Sequence, residues 1–152
     1  MTTRALWRPD RRAFTVHEVD QLIPVLTTKV SELLIARSEI ERAMAELSEH
    51  LGHEPRTLEA EPGDSAMALR IKRELKGAMK SYEQGWNEIE RLGAVVKDPR
   101  IGLLDFYGHL NGRWVWLCWR YGEDSLGYYH DLDAGYSSRK PLGRQERALL
   151  LN

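Results

Sequence analysis

From Val19 onward the apolar positions step alternately by four and three residues: Val19, Ile23, Leu26, Val30, Leu33, then Ile40, Met44, Leu47 and Leu51. Arg37 is the one polar member of that stripe. The spacing is that of one helix face and predicts a first helix over residues 15–51. Thr15 with Glu18 has the spacing of a capping box, and Phe14 with Val19 that of a hydrophobic staple. Pro24 is expected to kink this helix, because it removes one backbone donor. A polar connection with two prolines follows over residues 52–63, and mobility is expected there. A second stripe then runs Ala68, Ile71, Leu75, Ala78, Tyr82, Gly85, Ile89, Leu92. It predicts a second helix over residues 64–93, capped by Asp64 or Ser65 and closed at Gly93.

Two such helices should pair antiparallel as a long, coiled-coil-like hairpin. Setting Leu51 near Ala68 puts Arg37 opposite Tyr82 and Leu33 near Gly85. For Arg37 the ordinary expectation is a packed stem with its head on a carboxylate or on Tyr82. In this register the first helix outruns the second, so Val16–Leu26 must be covered by whatever follows Gly93.

After residue 95 the period changes to two. Three runs read as strands: Ile101–Tyr107, Arg113–Arg120 and Leu126–His130. Asn111-Gly112 is a strong two-residue hairpin signal. It pairs Leu103 with Arg120, Asp105 with Cys118 and Tyr107 with Trp116. A short loop at 122–124 would pair Cys118 with Tyr128 and Trp116 with His130. Alternation then assigns Leu104, Phe106, Val115, Leu117, Trp119 and Tyr129 to an apolar core face. The opposite face receives Leu103, Asp105, Tyr107, Trp114, Trp116, Cys118, Arg120, Tyr128 and His130. The expected fold is therefore α+β. A helical hairpin is followed by a three-stranded antiparallel β-meander and a mostly irregular C-terminal tail. Residues 1–152 are expected to form a single domain, with a loose arm over 1–13, meander and tail over 95–142, and a C-terminal end over 143–152. The last residues have the composition for a helical turn or two, and Trp7 in the arm is a candidate to dock.

Composition narrows the class without naming a function. Of 152 residues, 42% are hydrophobic and 30% charged, a globular balance, and the net charge is -1. Nothing in that charge favours nucleic acid or an anionic membrane, and no apolar run is long enough to span a bilayer. A lone Cys118 fits a reducing compartment, and the N-terminus has no signal-peptide pattern. The expected location is cytoplasmic.

The mixed face is the place to look for chemistry. Thiolate, imidazole and carboxylate at Cys118, His130 and Asp105 are ligand types for a zinc or iron ion, with Glu123 nearby. No CxxC or HxxxH spacing supports this, and a mid-strand cysteine is ordinarily a small buried hydrophobe. The same types would serve nucleophilic catalysis, with Cys118 attacking, His130 as base and Asp105 as orienter. His17 lies near the packing end of the sheet and would otherwise be a plain first-turn surface residue.

The segments Phe14-Thr15-Val16-His17-Glu18 and Leu22-Ile23-Pro24, the run Val96-Lys97-Asp98, and Gly102-Leu103-Leu104-Asp105-Phe106 carry a further signal. So do Leu117-Cys118-Trp119, Gly122-Glu123, Tyr129-His130, Gly135 and Arg139-Lys140-Pro141-Leu142. Together they resemble the bacterial and archaeal family catalogued as domain of unknown function 2203, over roughly Phe14 to Leu142. The resemblance implies pattern positions at Asp105, Cys118, Trp119, Glu123, His130, Gly135 and Arg139. It implies no activity. Tyr129-His130 and His17-Glu18 stand where the family often has Trp-His and Glu-Glu.

The first functional expectation is an interaction or assembly protein. Its recognition face would hold Asp105, Tyr107, Trp116, Cys118, Arg120, Glu123, Tyr128, His130 and Arg139 and take a protein partner, and the chain would form a homodimer. The alternative is a metal-binding protein or small metal-dependent enzyme using Asp105, Cys118, Glu123 and His130.

Overall fold

In a computed structural model, residues 12–150 are described, without the side chain of Leu150. Residues 1–11 of the expected arm, and with them the docking of Trp7, lie outside the described residues. The order is two long helices, α1 (Val16–Leu51) and α2 (Ala66–Arg91), then strands β1 (Val95–Asp98), β2 (Leu103–Leu110), β3 (Arg113–Arg120) and β4 (Tyr128–Asp131). A 3-10 turn at Tyr136–Ser138, strand β5 (Lys140–Pro141) and helix α3 (Arg144–Leu150) complete the chain. Among the described residues no helix is long and apolar enough to cross a membrane. The chain divides into two compact units, one running to Val30 and resuming at Ile89, the other Ser31–Glu88.

The Ser31–Glu88 unit is a helical hairpin. Its core is Leu47, Ala68, Ile71 and Leu75, with Ile40, Met44, Leu51 and Leu58 packed around them. The expected register holds. A Cβ on Gly85 would come within 2.5 Å of Leu33 Cδ2, so glycine sets how closely the helices approach. Arg37 donates from Nη1 to Tyr82 Oη at 3.1 Å, and its Nε pairs with Glu41 at 3.2 Å. These contacts replace the uniform apolar seam of a coiled coil, so that comparison is not exact. Ser65 Oγ caps α2 by accepting from Ala68 N at 3.1 Å.

The connection expected to be mobile is tied down instead. Lys72 is buried, and its Nζ donates to Glu59 O and to Asp64 Oδ2, each at 2.9 Å. Asp64 Oδ2 also accepts from Glu61 N at 2.9 Å.

The other unit joins the start of α1 to a five-stranded antiparallel sheet in the order β1-β2-β3-β4-β5. Its core takes Val16, Val19, Ile23, Leu26 and Val30 from α1, and Leu104, Phe106, Val115, Leu117, Trp119 and Tyr129 from the sheet. Those six sheet residues are the face expected to be apolar. Phe14 N donates to Tyr107 O at 2.7 Å, and Asp20 Oδ1 accepts from Leu126 N at 2.7 Å, fixing α1 to β2 and to the approach to β4. The capping box forms: Thr15 Oγ1 accepts from Glu18 N at 3.1 Å, and Glu18 Oε1 from Thr15 N at 2.9 Å. The bond from Thr15 N, aided by Arg12, holds the Glu18 carboxyl below its ordinary value. Thr15→Val is expected to destabilise the protein by about 1 kcal/mol in a denaturant melt.

Three strands were expected and five are present. The meander register is as expected, with Asp105↔Cys118, Tyr107↔Trp116, Cys118↔Tyr128 and Trp116↔His130. Asn111 and Gly112 both have positive φ, 50° and 81°, the backbone a two-residue turn requires. The two added strands are short edges. β1 pairs with β2 through Val95↔Asp105 and Val96↔Leu104, then shifts to Asp98↔Leu103, leaving Lys97 as a bulge. β5 pairs with β4 through Tyr128↔Pro141 and Tyr129↔Lys140. Proline is tolerated there because its nitrogen faces away from β4 at the open edge, while the inward bond comes from Leu142 N to Gly127 O at 2.8 Å. The tail is therefore not mostly irregular, since it supplies a turn, a strand and a helix.

Candidate functional site

β2, β3 and β4 each contribute one polar side chain to the same face: Asp105, Cys118 and His130. Alternation puts them there: the Asn111-Gly112 turn sets Asp105 opposite Cys118, and His130, paired with Trp116, lies two residues along from the Cys118 partner Tyr128. All three are buried, and one ligand atom from each lies within 4.8 Å of the others.

The hydrogen bonds at His130 constrain its state. Nδ1 faces Asp131 O at 3.0 Å, and Nε2 faces Asp105 Oδ2 at 2.9 Å. A backbone carbonyl only accepts, so Nδ1 carries hydrogen. Nε2 then faces a carboxylate. Either the two groups share a proton there, or a cation stands in that proton's place. Burial opposes charge on the imidazole. The hydrogen bond and charge of Asp105, with the Asp131 carbonyl, outweigh burial and raise its pKa. The second oxygen, Asp105 Oδ1, is buried without a hydrogen-bond partner. An unsatisfied buried carboxylate oxygen is costly and needs a reason.

Cys118 is fully buried, and burial, reinforced by Asp105, pushes its thiol up to about 12. A neutral thiol is a poor nucleophile, and both nitrogens of His130 face other acceptors. Cys118 and His130 are therefore not arranged as a nucleophile with its base. Arg139 stands on the thiol side, its Nη1 3.9 Å from Cys118 Sγ.

Glu123 does not join the cluster. Its carboxylate grips Arg139 with two bonds, Nη1 to Oε1 at 3.2 Å and Nη2 to Oε2 at 2.8 Å. It also accepts from Arg120 N at 2.7 Å. Arg139 stacks on Tyr128 at 3.7 Å and on Tyr136 at 4.5 Å. This fork-and-stack arrangement fixes the guanidinium beside the thiol. Arg120 reaches Tyr136 Oη at 3.1 Å. Trp116 is buried and donates from Nε1 to Leu132 O at 3.3 Å. Tyr107 packs on Trp116 with ring centroids 4.2 Å apart and the rings tilted by 36°. His17 is exposed and belongs to no metal-capable group found among the described residues.

Two residues at the site are not placed there by the hydrophobic and strand pattern of the sequence. Lys97, from the β1 bulge, places Nζ 4.0 Å from the centroid of the Trp116 ring. Tyr136 is brought in by the 3-10 turn. With Leu103, Asp105 and His130 they line a cavity of about 310 Å³. The tail thus covers part of the mixed face, as Leu132, Tyr136 and Arg139 all contact it.

The chain belongs to the family described as uncharacterized conserved protein (DUF2203), whose model matches residues 12–142. No curated protein and no solved structure matches it.

Proposed function

We propose that this protein binds a divalent metal ion of the zinc type through Asp105, Cys118 and His130. One observation carries the reading. The buried carboxylate–imidazole pair holds a proton-sized position between two acceptor atoms, beside an unpartnered carboxylate oxygen and a thiol. The donor set of one oxygen, one sulfur and one nitrogen suits zinc. Tetrahedral ligand atoms around zinc lie roughly 3.3–3.8 Å apart, so Asp105 Oδ2 and His130 Nε2, now 2.9 Å apart, would part by about half an ångström, and no pair, all lying within 4.8 Å, would need to close by more than about 1.5 Å. The His130 Nδ1–H bond to Asp131 O fixes the tautomer that leaves the Nε2 lone pair to bind the metal. Arg139 supports a thiolate at Cys118. A bound dication lowers the pKa of a coordinating thiol and polarises an oxygen held against it. Burial of Asp105, Trp116, Cys118 and His130 favours this small ligand over a protein partner on the same face.

Zinc titrated against a chromophoric chelator tests the proposal. One equivalent should bind, and Cys118→Ala and Asp105→Asn should each weaken binding by at least about a hundredfold with the helical circular dichroism retained. Equal zinc affinity in all three proteins would contradict it.

A further inference from the structure

The two flanks of the cluster differ. On the Cys118 side, Arg139, held by Glu123 and stacked on Tyr128, closes the approach. On the Asp105–His130 side the cavity begins. A structural zinc site is closed by four protein ligands, whereas a site with three keeps a position for an outside ligand. Among the described residues only Asp105, Cys118 and His130 form a metal-capable group.

Charge selects that ligand. A dication held by one carboxylate, one thiolate and a neutral imidazole is neutral overall. Arg139 is balanced by Glu123. Asp98, which also lines the cavity, is engaged by Arg100 through Nε at 3.1 Å and Nη2 at 3.0 Å. Lys97 adds a positive charge at the cavity wall. Tyr136 Oη accepts from Arg120 Nη1, which leaves its own hydrogen to donate. The cavity thus combines a Lewis acid, an ammonium and a hydroxyl donor in about 310 Å³, space for a compact organic acid and too little for a peptide or nucleotide.

Resting on the metal reading above, we propose that the fourth coordination position opens into this cavity and takes a small carboxylate anion. One carboxylate oxygen meets the metal and the other faces Lys97. Lys97 is a binding residue in this picture. Its ammonium lies over the Trp116 ring and is not one of the three metal ligands.

The test uses the full chain loaded with cobalt(II). Cobalt replaces zinc in such sites and reports its ligands by absorption. A near-ultraviolet thiolate-to-cobalt band that Cys118→Ala abolishes establishes the metal site. Acetate, with azide as a second small anion, is then titrated while the visible cobalt bands are followed. Both anions should shift those bands saturably. Lys97→Gln, a change at an exposed position, should leave the anion-free spectrum intact and weaken acetate binding roughly tenfold. A thiolate band with visible bands unmoved by either anion overturns the open-position proposal and leaves the metal site standing. Unchanged acetate affinity in Lys97→Gln overturns the assignment of Lys97. Absence of any thiolate band overturns both the metal site and the proposal built on it.

Discussion

His130→Ala, unfolded by denaturant in the presence of a chelator, is expected to lose about 3–5 kcal/mol of stability. The chelator separates this effect from metal binding. The loss follows from what the substitution leaves behind. The side chains of His130 and Asp105 are 3% and 1% exposed, so neither can turn to water. Asp105 Oδ1 already lacks a partner, and removing the imidazole strips Oδ2 as well. A buried carboxylate with neither oxygen satisfied is among the costliest groups a core can hold. The cavity left by the ring adds to the loss. The double variant Asp105→Asn/His130→Ala removes the stranded charge and should recover more than about 1 kcal/mol relative to His130→Ala. Additive single effects would mean that the two side chains are not energetically coupled.

Lys72→Ala is expected to give the largest loss within the helical hairpin unit, lowering its thermal midpoint by several degrees. Lys72 is 2% exposed and forms an ion pair with Asp64, itself 6% exposed, through a hydrogen bond. Without it Asp64 stays buried and charged, and Glu59 O loses its donor. The connection between the helices then has little to hold it, so limited proteolysis should cut it several-fold faster. Lys72→Met with Asp64→Leu removes both charges and should restore much of the midpoint. The same pair sets a pH response. The Lys72 ammonium, with the Glu61 N–H, holds the Asp64 carboxyl below its ordinary value. A carboxyl depressed on folding adds stability above its unfolded pKa, and that stability is lost as pH falls through the folded value. The wild-type midpoint should therefore fall on acidification below the ordinary carboxylate range, and the double variant should show less of that fall. An identical acid response in the two proteins would refute the assignment.

The Asp105–Cys118–His130 cluster and the Lys72–Asp64 pair differ in how far the sequence disclosed them. Asp105, Cys118 and His130 were readable because strand alternation is strict and Asn111-Gly112 fixes the register, so a count of residues places all three on one face. The hairpin register was readable for a similar reason. An unbroken three-four stripe leaves few alignments, and the one that sets Leu33 against Gly85 also brings Arg37 to Tyr82. The places of Lys97, noted only within the run Val96-Lys97-Asp98, and of Tyr136 were not readable. A bulge breaks the alternation that would have placed Lys97, and a short 3-10 turn in an aperiodic tail carries no pattern for Tyr136. Lys72 next to Ile71 in the stripe looks like any flanking lysine. Its burial depends on Glu59 and Asp64 in a connection whose prolines and glycines suggest mobility. Glu123 lies near the mixed face, but its carboxylate engages Arg139 and does not join Asp105, Cys118 and His130. Its partner Arg139 arrives only when β5 pairs with β4.

X-ray absorption at the zinc edge of the zinc-loaded protein gives the most direct test of the proposed metal centre. The expected spectrum has one sulfur at about 2.3 Å and nitrogen or oxygen atoms at about 2.0–2.2 Å, with the sulfur shell absent from Cys118→Ala. A wild-type shell made only of nitrogen and oxygen would place the metal elsewhere on the chain and contradict the assignment of Asp105, Cys118 and His130 as its ligands.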